Sequence, residues 1–198
     1  MRKKLVLATV SPRRIEMLKK LGVVFQAVKS GFEEPGIRKG QKAGDYVEMN
    51  AAGKVAAIVP EYEKALIVGA DTVVVYRNRI LGKPGGMAEA FDYLRLLNGR
   101  THSVYTGMAV IDCENGRRLI AHEKTRVTFR TLSEKEMAGY LGRIDPMDKA
   151  GGYAIQDEGA LIVRRVEGCY ANVVGFPLAR LENMLLEMGL SLFEFMKA

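Results

Sequence analysis

The chain begins its apolar patterning with Leu5-Val6-Leu7-Ala8, a short unbroken run set between basic residues and Thr9-Val10-Ser11-Pro12. A run of this kind suits a strand covered on both faces, and a buried strand is predicted over 5–9. Ser11 stands where a helix cap belongs, and Pro12 fits the first helical position. Ile15, Leu18 and Leu21 then recur at helical spacing, and Gly22 closes the element. Ser11-Pro12-Arg13-Arg14 is therefore a strand-to-helix turn, a place where free backbone N–H groups favour an anion. The adjacent Arg13 and Arg14 read either as solvated charge or as a clamp for something anionic.

Gly31 to Gly44 is rich in glycine and charge and reads as a loop. A helix is predicted from Asp45 to Val59, with Val47, Ala51, Val55 and Ile58 on one stripe. At ~100° per residue Lys54 falls within about 20° of Val47, so a lysine lies inside an apolar stripe. It reads as a stem whose ammonium reaches water, or as a buried cation with a partner. Leu66 to Tyr76 gives the strongest strand signal, turned by Arg77-Asn78-Arg79 into Ile80-Leu81, with a helix following over 87–97. Thr101 to Asp112 and Arg118 to Phe129 flank Glu114-Asn115-Gly116, which predicts a long antiparallel hairpin. Ser133-Glu134-Lys135-Glu136 is a capping box opening a helix that carries Met137, Tyr140 and Leu141. Ala150-Gly151-Gly152 reads as a loop, Ala160 to Val166 as a strand, and Pro177 as the start of a last amphipathic helix through Leu178, Leu181 and Leu185. No repeat, low-complexity tract or linker interrupts the series, and the mixture implies an α/β or α+β sheet.

Composition narrows this picture. With 198 residues, 48% of them apolar, the chain has the material for one globular domain, with one body or two lobes. A formal charge of +7 fits an anionic partner of any kind. The basic residues are dispersed and do not alternate with aromatic ones, which argues against a nucleic-acid binder. Cys113 and Cys169 have no paired spacing and read as reduced thiols, with a disulfide between them as the alternative. His102 and His122 form no zinc pattern. No segment approaches the ~20 apolar residues of a membrane span, and the run behind Met1-Arg2-Lys3-Lys4 is too short for a signal peptide. A cytoplasmic location is expected, with no membrane partner.

Asp71 is the residue that most demands an explanation. It interrupts Leu66-Ile67-Val68-Gly69-Ala70 and Thr72-Val73-Val74-Val75, and a carboxylate inside such a strand is costly unless paired, hydrogen-bonded or metal-bound. It reads as a structural aspartate satisfied by backbone N–H groups, or as a metal ligand or general base with room for a ligand beside Gly69-Ala70. The following hairpin can bring Lys83 near it, to pair with the carboxylate or hold a phosphoryl oxygen. Glu33-Glu34 is a solvated pair or a hard oxygen donor for Mg²⁺. Gln156 is a structural amide or one that reads a nucleobase edge. A Walker loop and a GxGxxG fingerprint are absent from the sequence, and a Ser-His-Asp or Cys-His triad has little to draw on.

Taken in order, these segments resemble the Maf family of nucleoside triphosphate pyrophosphatases. The resemblance rests on Leu7 to Arg14, Gly69 to Val74 with Leu81-Gly82-Lys83-Pro84, His102 to Gly107, Asp148 to Gln156, and Asn172 to Leu178. It implies an ITPase-like α/β fold: a mixed, curved sheet flanked by helices, with two lobes around a central cleft, often as a homodimer. It implies cleavage between the α and β phosphates of a nucleoside triphosphate with a divalent cation, Mg²⁺ or Mn²⁺. By the same resemblance Asp71, Lys83 and Glu34 would be catalytic, with Asp71 and Glu34 also metal ligands. Ser11, Arg13, Arg14, Lys54, Thr72 and Gln156 would bind substrate. Ser-Pro-Arg-Arg and Arg126 to Leu132 look like the branch acting on dTTP and UTP, with CTP or modified pyrimidine nucleotides as further substrates. Asp157 departs from the glycine common after the glutamine, and Phe176 from a leucine. A nucleotide-binding regulator of septum formation, without significant turnover, is the alternative the resemblance leaves open.

Overall fold

Parallel strands demand crossovers of a dozen residues or more, and this requirement organises the first third of the chain. The structure, a computed structural model, describes residues 3–197; Met1 and Arg2 of the basic start lie outside them. Strand β1 (Lys4–Ala8) pairs in parallel with β2 (Gln26–Val28), Val6 opposite Gln26, and with β3 (Ala65–Tyr76), Leu5 opposite Leu66. Helix α1 (Pro12–Lys20) makes the first crossover and α2 (Ala43–Ala56) the second. Strand β4 (Arg79–Leu81) folds back antiparallel on β3, with Val74 opposite Leu81, and α3 (Met87–Leu97) follows. β5 (Thr101–Asp112) and β6 (Arg118–Phe129) form the predicted hairpin, whose turn uses Gly116 at φ +71°. Then come α4 (Glu134–Leu141), β7 (Val163–Glu167), α5 (Tyr170–Val174) and α6 (Leu178–Glu187). The seven-stranded sheet runs β2-β1-β3-β5-β6-β7, with β4 beside β3, a mixed α/β architecture.

The chain divides into two compact units, one of residues 1–71, 106–123 and 175–198, the other of 72–105 and 124–174. In the first, the period of two along β1 and β3 sorts side chains onto opposite faces. Leu5, Leu7, Leu66 and Val68 pack with Leu18 of α1 and Leu181 and Leu185 of α6. Val6, Ala8 and Ile67 pack with Ala51 and Val55 of α2 and Ile58 beyond its end. Covering on both faces is why these strands read as unbroken apolar runs. In the second unit Leu94 and Leu97 of α3, Phe129 of β6 and Tyr140 and Leu141 of α4 share one core with Tyr153.

The sequence reading departs from this structure at short or cap-dependent segments. Ser11 occupies the N-cap of α1, but its hydroxyl makes no cap bond. α2 starts at Ala43 rather than Asp45. β7 starts at Val163 rather than Ala160, because Asp157–Leu161 winds into a 3₁₀ turn. β2 and α5 span 3 and 5 residues, too few to show a period. The capping box is present as read, with Ser133 accepting from the Glu136 N–H and Glu136 reaching back to the Ser133 N–H.

Two glycines fix how closely α2 lies on the sheet. A Cβ on Gly107 would stand 2.2 Å from the backbone C and O of Val47; one on Gly69 would stand 2.7 Å from the Ala51 carbonyl oxygen. The room beside Gly69, read from the sequence as space for a ligand, is taken by the helix. Gly107→Ala is expected to lower stability by about 2–3 kcal/mol, the scale of overpacking. Gly36→Ala, where nothing lies within 4 Å, should stay within about 0.5 kcal/mol of wild type. Urea denaturation midpoints at unchanged m-value check both.

Candidate functional site

Tyr46, Asn50 and Lys54 follow one another at i, i+4 and i+8 on α2 and so share one face. Ile67, Gly69 and Asp71 alternate onto the face of β3 that meets α2. The close approach at Gly69 therefore sets Asp71, 6% exposed, against this row of polar side chains. Asn50 Nδ2 donates to Asp71 Oδ2 at 2.9 Å, and Lys54 Nζ donates to Asp71 Oδ1 at 2.7 Å. The same ammonium lies 2.7 Å from Glu34 Oε1 and 3.4 Å from the Ala70 carbonyl oxygen, which engages its three donors. The Asp71 carboxylate is thus satisfied by side chains of α2, not by the backbone N–H groups of the structural reading. The Lys54 ammonium is held inside the fold, its side chain 12% exposed. Glu34 sits on the loop before α2, its side chain 42% exposed, so its share of the charge pairing is weakened by solvent.

Asn50 is fully buried, and the carboxylate dictates how its amide faces: Nδ2 must point at Asp71. Its Oδ1 is buried without a hydrogen-bond partner among the described residues. An unmet acceptor costs about 1–3 kcal/mol, and strain, a catalytic role or a bound water or ion are the usual reasons for one.

Arg14 does not stand out as a free clamp. It is 9% exposed, with Nε donating to the Gly175 carbonyl at 2.7 Å and Nη1 to the Ala70 carbonyl at 2.9 Å. Burial lowers its pKa, and the nearby Asp71 charge acts the other way. Arg14 thereby braces the middle of β3 and the turn before α6, and it brings a second cation to the carbonyl adjoining Asp71. Arg13, one residue earlier on α1, is half-buried, as is Ser11.

The remaining sequence candidates belong to the second unit. Thr72 is half-buried and Lys83, just past β4, is exposed. Gln156, half-buried, precedes the 3₁₀ turn of Asp157–Leu161. Asp157 takes φ +49°, the left-handed conformation that favours glycine, which gives a backbone reason for the glycine common there in the resembled family. The segment leading to Gln156 is held at several points. The Gly151 N–H donates to the Gly82 carbonyl at 2.9 Å, next to Lys83. The Tyr140 hydroxyl donates to the Ala154 carbonyl and accepts from its N–H, both at 3.0 Å. Tyr153 Oη lies 2.7 Å from His102 Nε2. Asn50 and Tyr46 were missed by sequence reading; their i, i+4 spacing to Lys54 is the signal that could have found Asn50.

Asp71 and Glu34 offer carboxylate oxygens that a cation could take, and here the Lys54 ammonium stands between them. Among the described residues no cluster of three or more His, Cys, Asp and Glu is arranged to hold a metal. Mg²⁺ and Mn²⁺ accept oxygen ligands, and Mg²⁺ is commonly held by one or two carboxylates plus substrate phosphates. Asp71 and Glu34 are carboxylates of that kind, Glu34 being reachable from solvent; a metal ion would have to share them with Lys54.

Two stability measurements follow from this geometry. Lys54→Met leaves a buried carboxylate without its cation and should cost about 3 kcal/mol or more; adding Asp71→Asn should recover part of the loss, read by urea denaturation of the single and double variants. His102, 2% exposed, has its pKa pushed by burial down to about 3. The unfolded chain takes up this proton below about pH 6.5 and the folded chain does not, so the stabilisation is whole above that pH and is lost as pH falls toward 3. The wild type should lose up to about 1.4 kcal/mol per pH unit more across this window than His102→Gln, measured from unfolding midpoints at several pH values.

The family model of the Maf-like proteins matches residues 4–188. A dTTP/UTP pyrophosphatase of Pelotomaculum thermopropionicum is 48% identical, over 94% of this chain and 97% of that protein. The dTTP/UTP pyrophosphatases of Moorella thermoacetica and Dictyoglomus thermophilum are 44% and 43% identical, over 96% and 97% of this chain and 97% and 100% of theirs. With the match running from β1 to the end of α6, the chain belongs to the Maf-like protein family.

Proposed function

We propose that the protein is a nucleoside triphosphate pyrophosphatase that cleaves the α–β phosphate bond of dTTP and UTP, releasing the monophosphate and pyrophosphate. One observation carries the chemistry: a buried carboxylate, Asp71, held at both oxygens by Asn50 and Lys54, with Glu34 on the same ammonium. The dTTP/UTP specificity is that of the relatives at 43–48% identity.

In this reading water attacks the α-phosphorus, a new P–O bond forms, and the bridging bond to the β-phosphate breaks with pyrophosphate leaving. Asp71 takes the proton of that water. Each oxygen of an ionised carboxylate has about two acceptor positions, so the bonds to Asn50 and Lys54 orient the group and leave it able to accept. A divalent cation held by Asp71 and Glu34 would neutralise phosphate charge that otherwise repels the attacking oxygen. Arg13 and Lys83 contact phosphoryl oxygens, with Ser11 beside Arg13 at the head of α1. Arg14 acts from behind, as the brace of β3 and of the turn before α6. Thr72 and Gln156 set the base preference. The homodimer expected from the resemblance and the cytoplasmic location expected from the sequence belong to the same proposal, and sedimentation at about twice 21.9 kDa checks the assembly.

The test is a panel of triphosphates, pyrimidine, purine and modified, with Mg²⁺ or Mn²⁺, followed for pyrophosphate. Release from dTTP and UTP is expected. Orthophosphate in place of pyrophosphate, or tight binding with no release, would overturn the proposal. Asp71→Asn should lose at least ~100-fold in turnover, the scale of acid–base catalysis, while remaining folded. Lys83→Ala should lower kcat/KM at an unchanged melting temperature; a change in melting temperature alone would make Lys83 structural.

A further inference from the structure

Glu34 is the one member of the Asp71–Lys54–Glu34 set that no regular element carries. It lies on the segment between β2 and α2, outside helix and strand. A glutamate on such a loop has many placements, and confining it to one has an entropic cost. Three contacts reduce that cost, and all three are made by α2. Before Glu34, the Phe32 ring occupies the space a side chain on residue 53 would need: a Cβ on Gly53 would stand 2.3 Å from Phe32 Cε2 and 2.4 Å from Cζ. At Glu34 itself, Lys54 Nζ meets Oε1 at 2.7 Å. After Glu34, the Tyr46 hydroxyl donates to the Pro35 carbonyl at 3.0 Å.

Tyr46 is 5% exposed and buried in the same row as Asn50 and Lys54. Its ring cannot follow the loop if the loop moves, so its hydroxyl is a fixed point to which the loop backbone is tied next to Glu34. Gly53 acts by having no side chain. The loop is thus pinned on both sides of the glutamate to the helix that supplies the Asp71 partners.

We propose that Tyr46 and Gly53 are positioning residues for the reaction, which register the Glu34 loop on α2 so that Glu34 and Asp71 share the Lys54 ammonium. This rests on the reading of Glu34 and Asp71 as working groups of the site. Neither Tyr46 nor Gly53 touches the reacting atoms; both act through Glu34.

A double-mutant cycle tests it with the intact chain, dTTP and Mg²⁺. Tyr46→Phe removes one hydrogen bond and should lower kcat about 3- to 10-fold, with KM changed less than about twofold. Gly53→Ala, whose methyl displaces Phe32, should do the same. In the Glu34→Gln background both should change kcat less than about twofold, because the group they position is already lost. Tyr46→Phe at wild-type kcat, or a loss that multiplies with that of Glu34→Gln, would overturn the inference while leaving the proposed function standing. Full activity in Glu34→Gln itself would overturn the reading of Glu34 and the inference with it. Melting temperatures of all variants separate these outcomes from loss of fold; should Gly53→Ala fail to fold, the Tyr46→Phe arm decides alone.

Discussion

Inside a sheet strand whose neighbours are apolar, the Asp71 carboxylate can be buried only because partners are brought to it. The desolvation of such a group amounts to several kcal/mol, and it is offset by Lys54 at 2.7 Å and Asn50 at 2.9 Å. Both partners come from one helix face, and that face reaches β3 because Gly69 and Gly107 let α2 settle onto the sheet. Charge, helix and glycines form one construction. A bulkier residue at Gly69 would lift α2 and separate the carboxylate from its cation, and loss of the cation would leave a charge the packed strand cannot hold.

The cationic side chains around this carboxylate divide the work by geometry. Lys54 spreads a point charge over Asp71, Glu34 and a backbone oxygen, as a rotatable ammonium can. Arg14 uses its planar guanidinium to tie the Ala70 and Gly175 carbonyls, two chain segments far apart in sequence. A guanidinium buried this way serves as a frame, and it adds positive charge beside the middle of β3. The adjacent Arg13 and Arg14 thereby differ in burial, half-buried against buried, from a difference of one position, about 100°, on α1.

Neutrality is the theme of the second unit. Burial keeps His102 neutral and pushes the Tyr153 phenol well up from its usual value. The contact between them holds the backbone that leads to Gln156. His102 recurs in a motif of the resembled family, yet here it packs edge-on against Phe129 and Tyr153 rather than titrating in the physiological range.

Much of the fold was written in the chain. Apolar runs marked β1 and β3, the Asn115-Gly116 turn marked the β5–β6 hairpin, and Ser133 with Glu136 marked the start of α4, because these signals are local and strong. Short β2 and α5 carry too few residues to show a period, and the winding after Gln156 depends on a left-handed Asp157 that composition does not announce. The oddity of Asp71 and the misplaced lysine at 54 were also legible, since a charge among apolar neighbours stands out in one dimension. What the sequence could not assign was partnership: that Lys54 meets Asp71, that Asn50 completes it, that Arg14 turns inward, and that Tyr46 ties the Glu34 loop. Those facts follow from how closely α2 approaches the sheet, and that distance is set by two glycines whose meaning appears only when the helix backbone stands against them.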